Sequence, residues 1–264
     1  MSDIELPITG HLAELRARLA WALIAVAIAF CIVYPGSAYV FRFLEAPLRA
    51  AAESRGVPVS IVGTGVAEAF FTRITVSGIA ALCLALPVVL YQLWKFIAPG
   101  LQDTEAAYAR WFVAFGTLFF MTGAAFCYLL VFPIGFPFFL SEYDDIGVQP
   151  MVRISEYLSF SSQMMAAFGV CFEMPVITFF LARVGLVTHT MLIKQARYAV
   201  LAIFIVAAIL TPPDAASQMM MATPLCLLYV ISIGVAYVFA RKPEVETHDD
   251  GEDDAPDKPQ LEAP

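Results

Sequence analysis

Apolar residues in this chain come in long uninterrupted blocks, and polar residues gather between them. Blocks without a charged residue cover 19–41, 74–94, 111–140, 198–213 and 215–240, and a further block, 157–182, has one charge, at Glu173. A helix needs about 20 predominantly apolar residues to span the hydrocarbon layer of a membrane. The pattern therefore predicts an all-α membrane protein.

The stretch 198–240 has Asp214 as its only charge and is too long for a single span. Thr211-Pro212-Pro213-Asp214 is a strong stop-and-turn signal, because proline ends a helix. We therefore divide the stretch into two helices joined by a tight hairpin, so that the chain has six spans. Their expected bounds are about 19–41, 74–96, 111–137, 157–182, 197–211 and 215–240, within a membrane domain of residues 1–243.

The fifth charge-free run is short. Residues 199–210 give only about 18 Å of helix at a rise of 1.5 Å per residue. A short hydrophobic length is met by thinning of the bilayer, by tilt or by snorkelling of flanking residues. We therefore expect a short fifth/sixth helix hairpin with thin membrane beside it.

Composition locates the net charge of the chain. The 264 residues are 60% hydrophobic and 14% charged, with a formal charge of −8. Residues 244–264 contain nine acids and one Lys, which accounts for all of that charge. Such a tail cannot bury a core, so we expect it to be disordered and cytoplasmic. No basic residues cluster, which argues against a nucleic-acid partner.

The charges between the blocks predict an orientation. Six spans put both termini on one side, and cytoplasmic loops are enriched in Lys and Arg. With the N-terminus inside, nine basic residues flank the spans on the cytoplasmic side and five on the other. We therefore expect both termini in the cytoplasm. Residues 42–73 are expected to form short helices that cap the outer face, and 141–156 an exposed turn.

Cysteine and histidine give no sign of a metal site. The five cysteines lie one to each of five apolar runs, and the three histidines are isolated, so no pair has metal-ligand spacing. We predict neither a metal nor a cofactor. The N-terminal residues also lack the basic region and short apolar core of a cleaved signal peptide.

Glu173 is the one ionisable residue predicted to lie deep in a span. It lies about ten residues, or about 15 Å of helix, from Arg183, which is close to the midplane of a layer about 30 Å thick. An ionisable group there costs at least about 2.5 kcal/mol and usually marks function. One interpretation is a polar site in a concave protein surface. The other is a neutral carboxyl group bonded to a neighbouring helix.

Two further acids, Glu14 and Glu105, lie beside predicted spans on the side expected to be cytoplasmic. Glu14 stands four residues before Arg18, a spacing that also fits an ordinary surface ion pair. Glu105 follows Pro99-Gly100-Leu101 and also fits a first-turn acid of the third helix. Two carboxylates on one face would suit a ligand with two guanidinium groups, since each Arg fork matches a carboxylate bidentately. Spacing alone does not bring them together.

Five motifs then occur in a fixed order over residues 8–240 and resemble those of the TatC family, the multi-spanning receptor subunits of the twin-arginine protein translocase. They are His11-Leu12-x-Glu14-Leu15-Arg16-x-Arg18, Glu45-Ala46-Pro47-Leu48, Pro87-x-x-x-Tyr91-Gln92-x-Trp94-x-Phe96-x-x-Pro99-Gly100-Leu101, Phe168-Gly169-x-x-Phe172-Glu173-x-Pro175 and Thr211-Pro212-Pro213-Asp214-x-x-Ser217-Gln218. Each motif is weak alone, and the series is specific.

The resemblance implies a concave, glove-like bundle in the bacterial cytoplasmic (inner) membrane that exports folded proteins by means of the proton-motive force. It implies partners of four kinds: twin-arginine signal peptides of folded cargo, the single-span subunits TatA and TatB, membrane lipid, and further copies of the chain within a receptor complex. It implies no enzymatic activity.

The resemblance also implies roles for individual residues. Glu14 and Glu105 match the acids that engage the arginine pair of the signal peptide. The supporting patch around them matches Leu15, Arg16, Arg18 and Phe96. Glu173 matches the intramembrane polar residue of the concave face. Thr211 and Gln218 match a docking site for the partner subunits, and Pro47 matches an outer-cap residue needed for function.

Two other functions are alternatives to the receptor. A proton-coupled small-solute secondary transporter could use Glu173 as its carrier, but it would be expected to have more polar residues at the midplane and an internal repeat. An intramembrane enzyme would need a nucleophile with a base, a metal pair or a carboxylate dyad, and the spans contain none of these. The receptor is therefore the favoured function, and the transporter is the alternative.

Overall fold

The structure is a computed structural model that describes residues 8–97, 108–145, 147–211 and 214–239. Nearly all of these residues are helical. The elements in chain order are α1 (Ile8–Val33), α2 (Ser37–Arg55), β1 (Ser60–Val62), α3 (Glu68–Ile97), α4 (Tyr108–Phe126), α5 (Phe132–Asp145), β2 (Met151–Arg153), α6 (Ile154–Val184), α7 (His189–Leu210) and α8 (Ala215–Phe239).

Six helical segments of the described chain are long and apolar enough to cross a membrane, as the sequence predicts. They are Ala13–Arg55, Glu68–Phe96, Arg110–Tyr143, Ile154–Arg183, His189–Leu210 and Ala215–Phe239. The expected tail, 244–264, lies outside the described residues.

The first segment differs from the expected span 19–41. α1 ends at Val33, and the 3₁₀ turn Tyr34–Gly36 separates it from α2. Pro35 in this turn has no N–H to continue the helix. Arg73 of α3 holds the turn by donating from Nε to the hydroxyl of Ser37 at 2.9 Å. The outer segment after the turn is one 19-residue helix, α2, where short helices were expected.

The third and fifth spans are longer than their charge-free blocks. α4 continues through a π-helical turn, Cys127–Val131, into α5, which reaches Asp145 instead of ending near 137. α7 begins at His189, eight residues before the expected start at 197, because Thr188 caps it by accepting from the N–H of Met191 at 3.3 Å. The short apolar run of the fifth span therefore lies within a 22-residue helix.

One end of the bundle is covered by α2, β1 and β2, which together we call the cap. β1 pairs in parallel with β2, with Ile61 opposite Val152. Glu68, the first residue of α3, reinforces this pairing. Its carboxylate accepts from the N–H of Thr64 at 2.6 Å and from the hydroxyl of Ser155 at 2.5 Å. The segments before α3 and α6 are thus tied together.

The spans pack in a series that has a group of three mutually contacting helices, α3, α4 and α6, at its centre. α1 packs on α3 at one side of this group, and α8 packs on α6 and then on α7 at the other. Opposite the cap, aromatic rings from α3, α4 and α6 meet at Trp94, Phe112 and Phe180, with centroids 4.9–5.2 Å apart. We call this the Trp94 end. α1 and α7 terminate the series and leave many large apolar side chains exposed, as expected for helices that face lipid or partner spans.

Candidate functional site

Glu173 is buried inside the bundle, with 5% of its surface exposed. Neither of its carboxylate oxygens has a hydrogen-bond partner among the described residues. The carboxylate faces α4 at Gly116, where an added Cβ would lie 3.0 Å from Oε2 and 3.4 Å from Oε1. A buried carboxylate without a hydrogen-bond donor lowers the stability of the folded protein. Stability alone therefore does not account for a glutamate at position 173.

Glycines bring α4 and α6 close enough for this contact. A Cβ at Gly123 would lie 2.6 Å from the carbonyl oxygen of Phe168, and one at Gly169 would lie 2.6 Å from the ring of Phe120. Small residues at a helix interface allow two membrane helices to approach through their backbones. The close approach of α4 and α6 therefore places the carboxylate of Glu173 against the backbone of α4 at Gly116, which has no side chain.

Two more polar atoms near this level are buried and unsatisfied within the described chain. They are Oε1 of Gln92 on α3 and Oγ1 of Thr117 on α4. Thr117 follows Gly116, and Gln92 comes two residues after Leu90, whose Cδ1 would lie 2.7 Å from a Cβ at residue 116. Three spans thus place unsatisfied polar atoms near one level of the bundle, and the predicted intramembrane residue, Glu173, is among them.

The predicted signal-peptide patch lies at the Trp94 end. Arg18 donates from Nη2 to Oε1 of Glu14 at 2.7 Å, and the two side chains are 28% and 27% exposed. Leu15 is 41% exposed, and Arg16 is also exposed. Glu14 is therefore accessible, but its carboxylate is already paired within α1.

Phe96 lies at about the same level as Glu14. Ala29 of α1 packs with Ala81 and Ala85 of α3 in a small core cluster. Fifteen residues separate Glu14 from Ala29, and eleven to fifteen separate Phe96 from the two alanines of α3, which runs antiparallel to α1. Similar helix lengths from this cluster bring the two side chains to one end of the bundle. Glu105 lies outside the described residues, between α3 and α4, whose adjoining ends lie at this same end.

Thr211 and Gln218 lie at the α7–α8 hairpin, and both bond to the backbone of α7. The hydroxyl of Thr211, which is buried, donates to the carbonyl of Ala207 at 2.8 Å. Nε2 of Gln218 donates to the carbonyl of Phe204 at 3.1 Å. The structure thus brings the two predicted docking residues to one hairpin and gives them partners within the chain.

Asp214 caps α8 in this hairpin, a role that sequence reasoning missed. Its carboxylate accepts from the N–H of Ser217 at 2.7 Å and from the hydroxyl of the same residue. The hydroxyl bond, followed by the N–H bond, holds the pKa of Asp214 below its ordinary value. An Asp immediately before an apolar helical run is the signal that could have identified this cap.

Pro47, the predicted outer-cap residue, is buried within α2. Sequence reasoning missed Glu68, Gly116 and Tyr128, which make contacts in the cap or at Glu173. Each contacts a residue 57 or more positions away along the chain, which no local pattern reveals.

Comparison with known proteins identifies relatives over most of the chain. The family described as "Sec-independent protein translocase protein (TatC)" matches residues 10–224. A protein of that name from Desulforapulum autotrophicum is 43% identical over 246 residues, covering 93% of this chain and 90% of the relative. One from Campylobacter jejuni is 41% identical over 223 residues, covering 84% and 90%. A solved structure described as twin-arginine translocase receptor TatC superposes with a TM-score of 0.80 at 34% identity, covering 88% of this chain and all of that one.

Proposed function

Since the chain belongs to the TatC family and is therefore a multi-spanning component of the Sec-independent protein translocase, we propose that it receives twin-arginine signal peptides of folded cargo at its Trp94 end. The proposed contacts are Glu14 and Glu105 for the two arginines, with Leu15, Arg16, Arg18 and Phe96 around them. The observation that carries this proposal is an accessible carboxylate, Glu14, level with the aromatic side chain of Phe96.

The ion pair within α1 is compatible with ligand capture. A partly exposed pair such as Glu14–Arg18 contributes about 0–1 kcal/mol, so an incoming guanidinium can replace Arg18 at little cost. An arginine side chain bonds a carboxylate through two parallel N–H groups, which lysine cannot do. Two glutamates therefore favour paired arginines over paired lysines.

We infer that Glu173 and the α7–α8 hairpin receive the partner subunits. Membership of the family implies association with other components of the twin-arginine system. The exposed apolar face of α7 ends at Thr211, beside Gln218, so a single-span helix such as TatA or TatB can dock along it. The carboxylate of Glu173 is buried and has no hydrogen-bond partner among the described residues, so a polar group of a partner subunit would have to enter between α4 and α6 to bond it. Further copies of the chain within a receptor complex belong to the same proposal.

We propose the bacterial cytoplasmic membrane as the location, with the Trp94 end and both termini in the cytoplasm and the cap outside. The excess of nine basic residues over five supports this orientation. Cargo proteins fold in the cytoplasm before export, so in this orientation their signal peptides reach Glu14 from the cytoplasmic side. The proton-motive force then drives export. The alternative of a small-solute transporter rested on Glu173 alone, and the family membership favours protein transport over it.

Site-specific photo-crosslinking tests the receptor proposal. A photoreactive residue is placed at Ala13 or Ala17, both exposed beside Glu14, and as a control at Val66 in the loop after β1. A fluorescent twin-arginine peptide should crosslink at the first two positions and not at the third, and a twin-lysine peptide should crosslink at none. Equal crosslinking of both peptides, or labelling confined to Val66, would overturn the proposal.

A further inference from the structure

Pro47 leaves a gap in the hydrogen bonding of α2. A helical N–H normally donates to the carbonyl four residues earlier, and proline has no N–H. The carbonyl that loses its donor is that of Phe43. A backbone carbonyl without a donor is costly away from water, so a partner from elsewhere is required.

The side chain of Tyr128 supplies that partner. Its hydroxyl donates to the carbonyl of Phe43 at 3.0 Å, across 85 positions of sequence. Its ring also stacks on the ring of Phe43, with centroids 4.2 Å apart and an angle of 5°. Tyr157 of α6, which is buried, adds a second bond from its hydroxyl to the next carbonyl, that of Leu44, at 2.5 Å.

Tyr128 lies in the π-helical turn Cys127–Val131, which interrupts the third span. A π turn contains an extra residue and rotates the side chains that follow it, and such turns are frequent at functional sites. The π turn of the third span therefore lies beside Pro47, and the Tyr128 hydroxyl in that turn donates a hydrogen bond to the cap helix α2. The same span carries Gly116, which contacts Glu173.

We propose that Tyr128 is a positioning residue that replaces the helical bond removed by Pro47 and so fixes the cap helix α2 on the third and fourth spans, together with Tyr157. The angle of α2 then depends on the span that also faces Glu173. The relevance to transport rests on the proposed function, in which the cap at Pro47 is needed for the receptor to work. The hydrogen bond itself stands independently of that function.

The test is a double-mutant cycle read by amide hydrogen exchange of the full chain in nanodiscs. Tyr128→Phe removes the hydroxyl and keeps the ring, so amides of α2 after residue 43 should exchange about 5-fold faster, the factor for a bond of about 1 kcal/mol. In the Pro47→Ala background, the backbone at position 47 regains an N–H that donates to the carbonyl of Phe43. There Tyr128→Phe should change the rate by less than about 2-fold.

Two controls separate this effect from general loosening. Tyr229→Phe removes a comparable bond, from its hydroxyl to the carbonyl of Leu192 at 2.7 Å, and should leave exchange in α2 unchanged. Phe43→Leu removes the ring stacking and keeps the carbonyl, so its effect should persist in the Pro47→Ala background. A Tyr128→Phe effect of equal size in both backgrounds, or no effect, would overturn the proposal.

Failure of this inference and failure of the proposed function give different results. If the double-mutant cycle shows no coupling between Tyr128 and Pro47 while the peptide still crosslinks near Glu14, only the proposed role of Tyr128 is refuted. If the coupling is present and Tyr128→Phe exports a twin-arginine reporter normally, Tyr128 does position α2, but transport does not depend on that positioning.

Discussion

The carboxylate of Glu173 lies directly against the backbone of Gly116, so a methyl group at residue 116 would lie 3.0 Å from Oε2. This contact joins α6 to α4 where both are buried. It explains why a side chain that is costly in a membrane can be held at a defined place: the neighbouring helix has no side chain there to exclude it.

Gly116→Ala should destabilise the protein by about 1–3 kcal/mol, since the new methyl group would also lie 2.7 Å from Cδ1 of Leu90. Gly234→Ala is the matched control, because nothing lies within 4 Å of a Cβ there. Thermal unfolding of the two variants in the same detergent measures the difference. Equal Tm values would contradict the close approach of α4 and α6.

Glu173→Leu should leave the protein at least as stable as the wild type, because it removes a buried carboxylate that has no described partner. Export of a twin-arginine reporter should nevertheless fall by about 10-fold, because the hydrogen bond that we propose between Glu173 and a partner subunit would be lost. Glu173→Gln keeps the shape and one acceptor oxygen and introduces an NH2 group with two donors, so it should retain more export than the Leu variant. Full export by Glu173→Leu would remove the intramembrane site from the mechanism.

Glu14→Ala and Glu105→Ala should each weaken binding of a twin-arginine peptide by about 10-fold, since a charge-assisted bond contributes about 1.5–3 kcal/mol. The Glu14 variant should still insert, because Glu14 is partly exposed and stabilises α1 only through one surface pair. Glu142→Ala, an exposed acid near the end of α5, is the control. Wild-type peptide affinity in both variants would refute the site.

Asp214→Ala should lower stability by about 0.5–2 kcal/mol through loss of the α8 cap. Hydrogen bonds lower the pKa of Asp214 in the folded state, so its contribution is present above the unfolded pKa of about 3.9 and is lost as the pH falls below it. The difference in Tm between wild type and Asp214→Ala should therefore be constant above about pH 5 and shrink below about pH 4.

Asp214→Asn separates the cap from its charge. Asparagine caps helices about as well as aspartate, so this variant should retain most of the stability at neutral pH. It has no carboxyl group to protonate, so its Tm relative to Asp214→Ala should not depend on pH in the acid range. A pH dependence of equal size in the Asn variant would assign the titration to another group.

The number of spans could be predicted from the sequence, whereas several of their ends could not. A run of apolar residues is a local property, and it predicts membrane helices wherever it is long enough. The end of α1 at Val33 and the start of α7 at His189 depend instead on Pro35 and on the Thr188 cap. Pro35 lies inside an apolar run and forms a turn, and Thr188 lies outside one and caps a helix. A count of apolar residues ignores both effects.

The candidate site divides in the same way. Glu173 can be identified from the sequence because a lone acid in an apolar block has a high free energy of insertion into the membrane. Nothing local indicates that Gly116 is its neighbour, or that the carbonyl freed by Pro47 meets Tyr128. Proline predicts that a donor is missing from α2, but the chain offers many hydroxyls, and only the packing of the spans selects one.

The sequence by itself determined that this is a membrane protein with six spanning segments, which of its acids are costly to bury, and which family it resembles. The tertiary structure decided which atoms meet: Glu173 with Gly116, Tyr128 with Phe43, and Glu68 with Ser155. The physical reason is that partition into a membrane depends on the hydrophobicity of one segment at a time. Contact between spans depends instead on the shapes of two surfaces, and the residues that form them lie far apart in the chain.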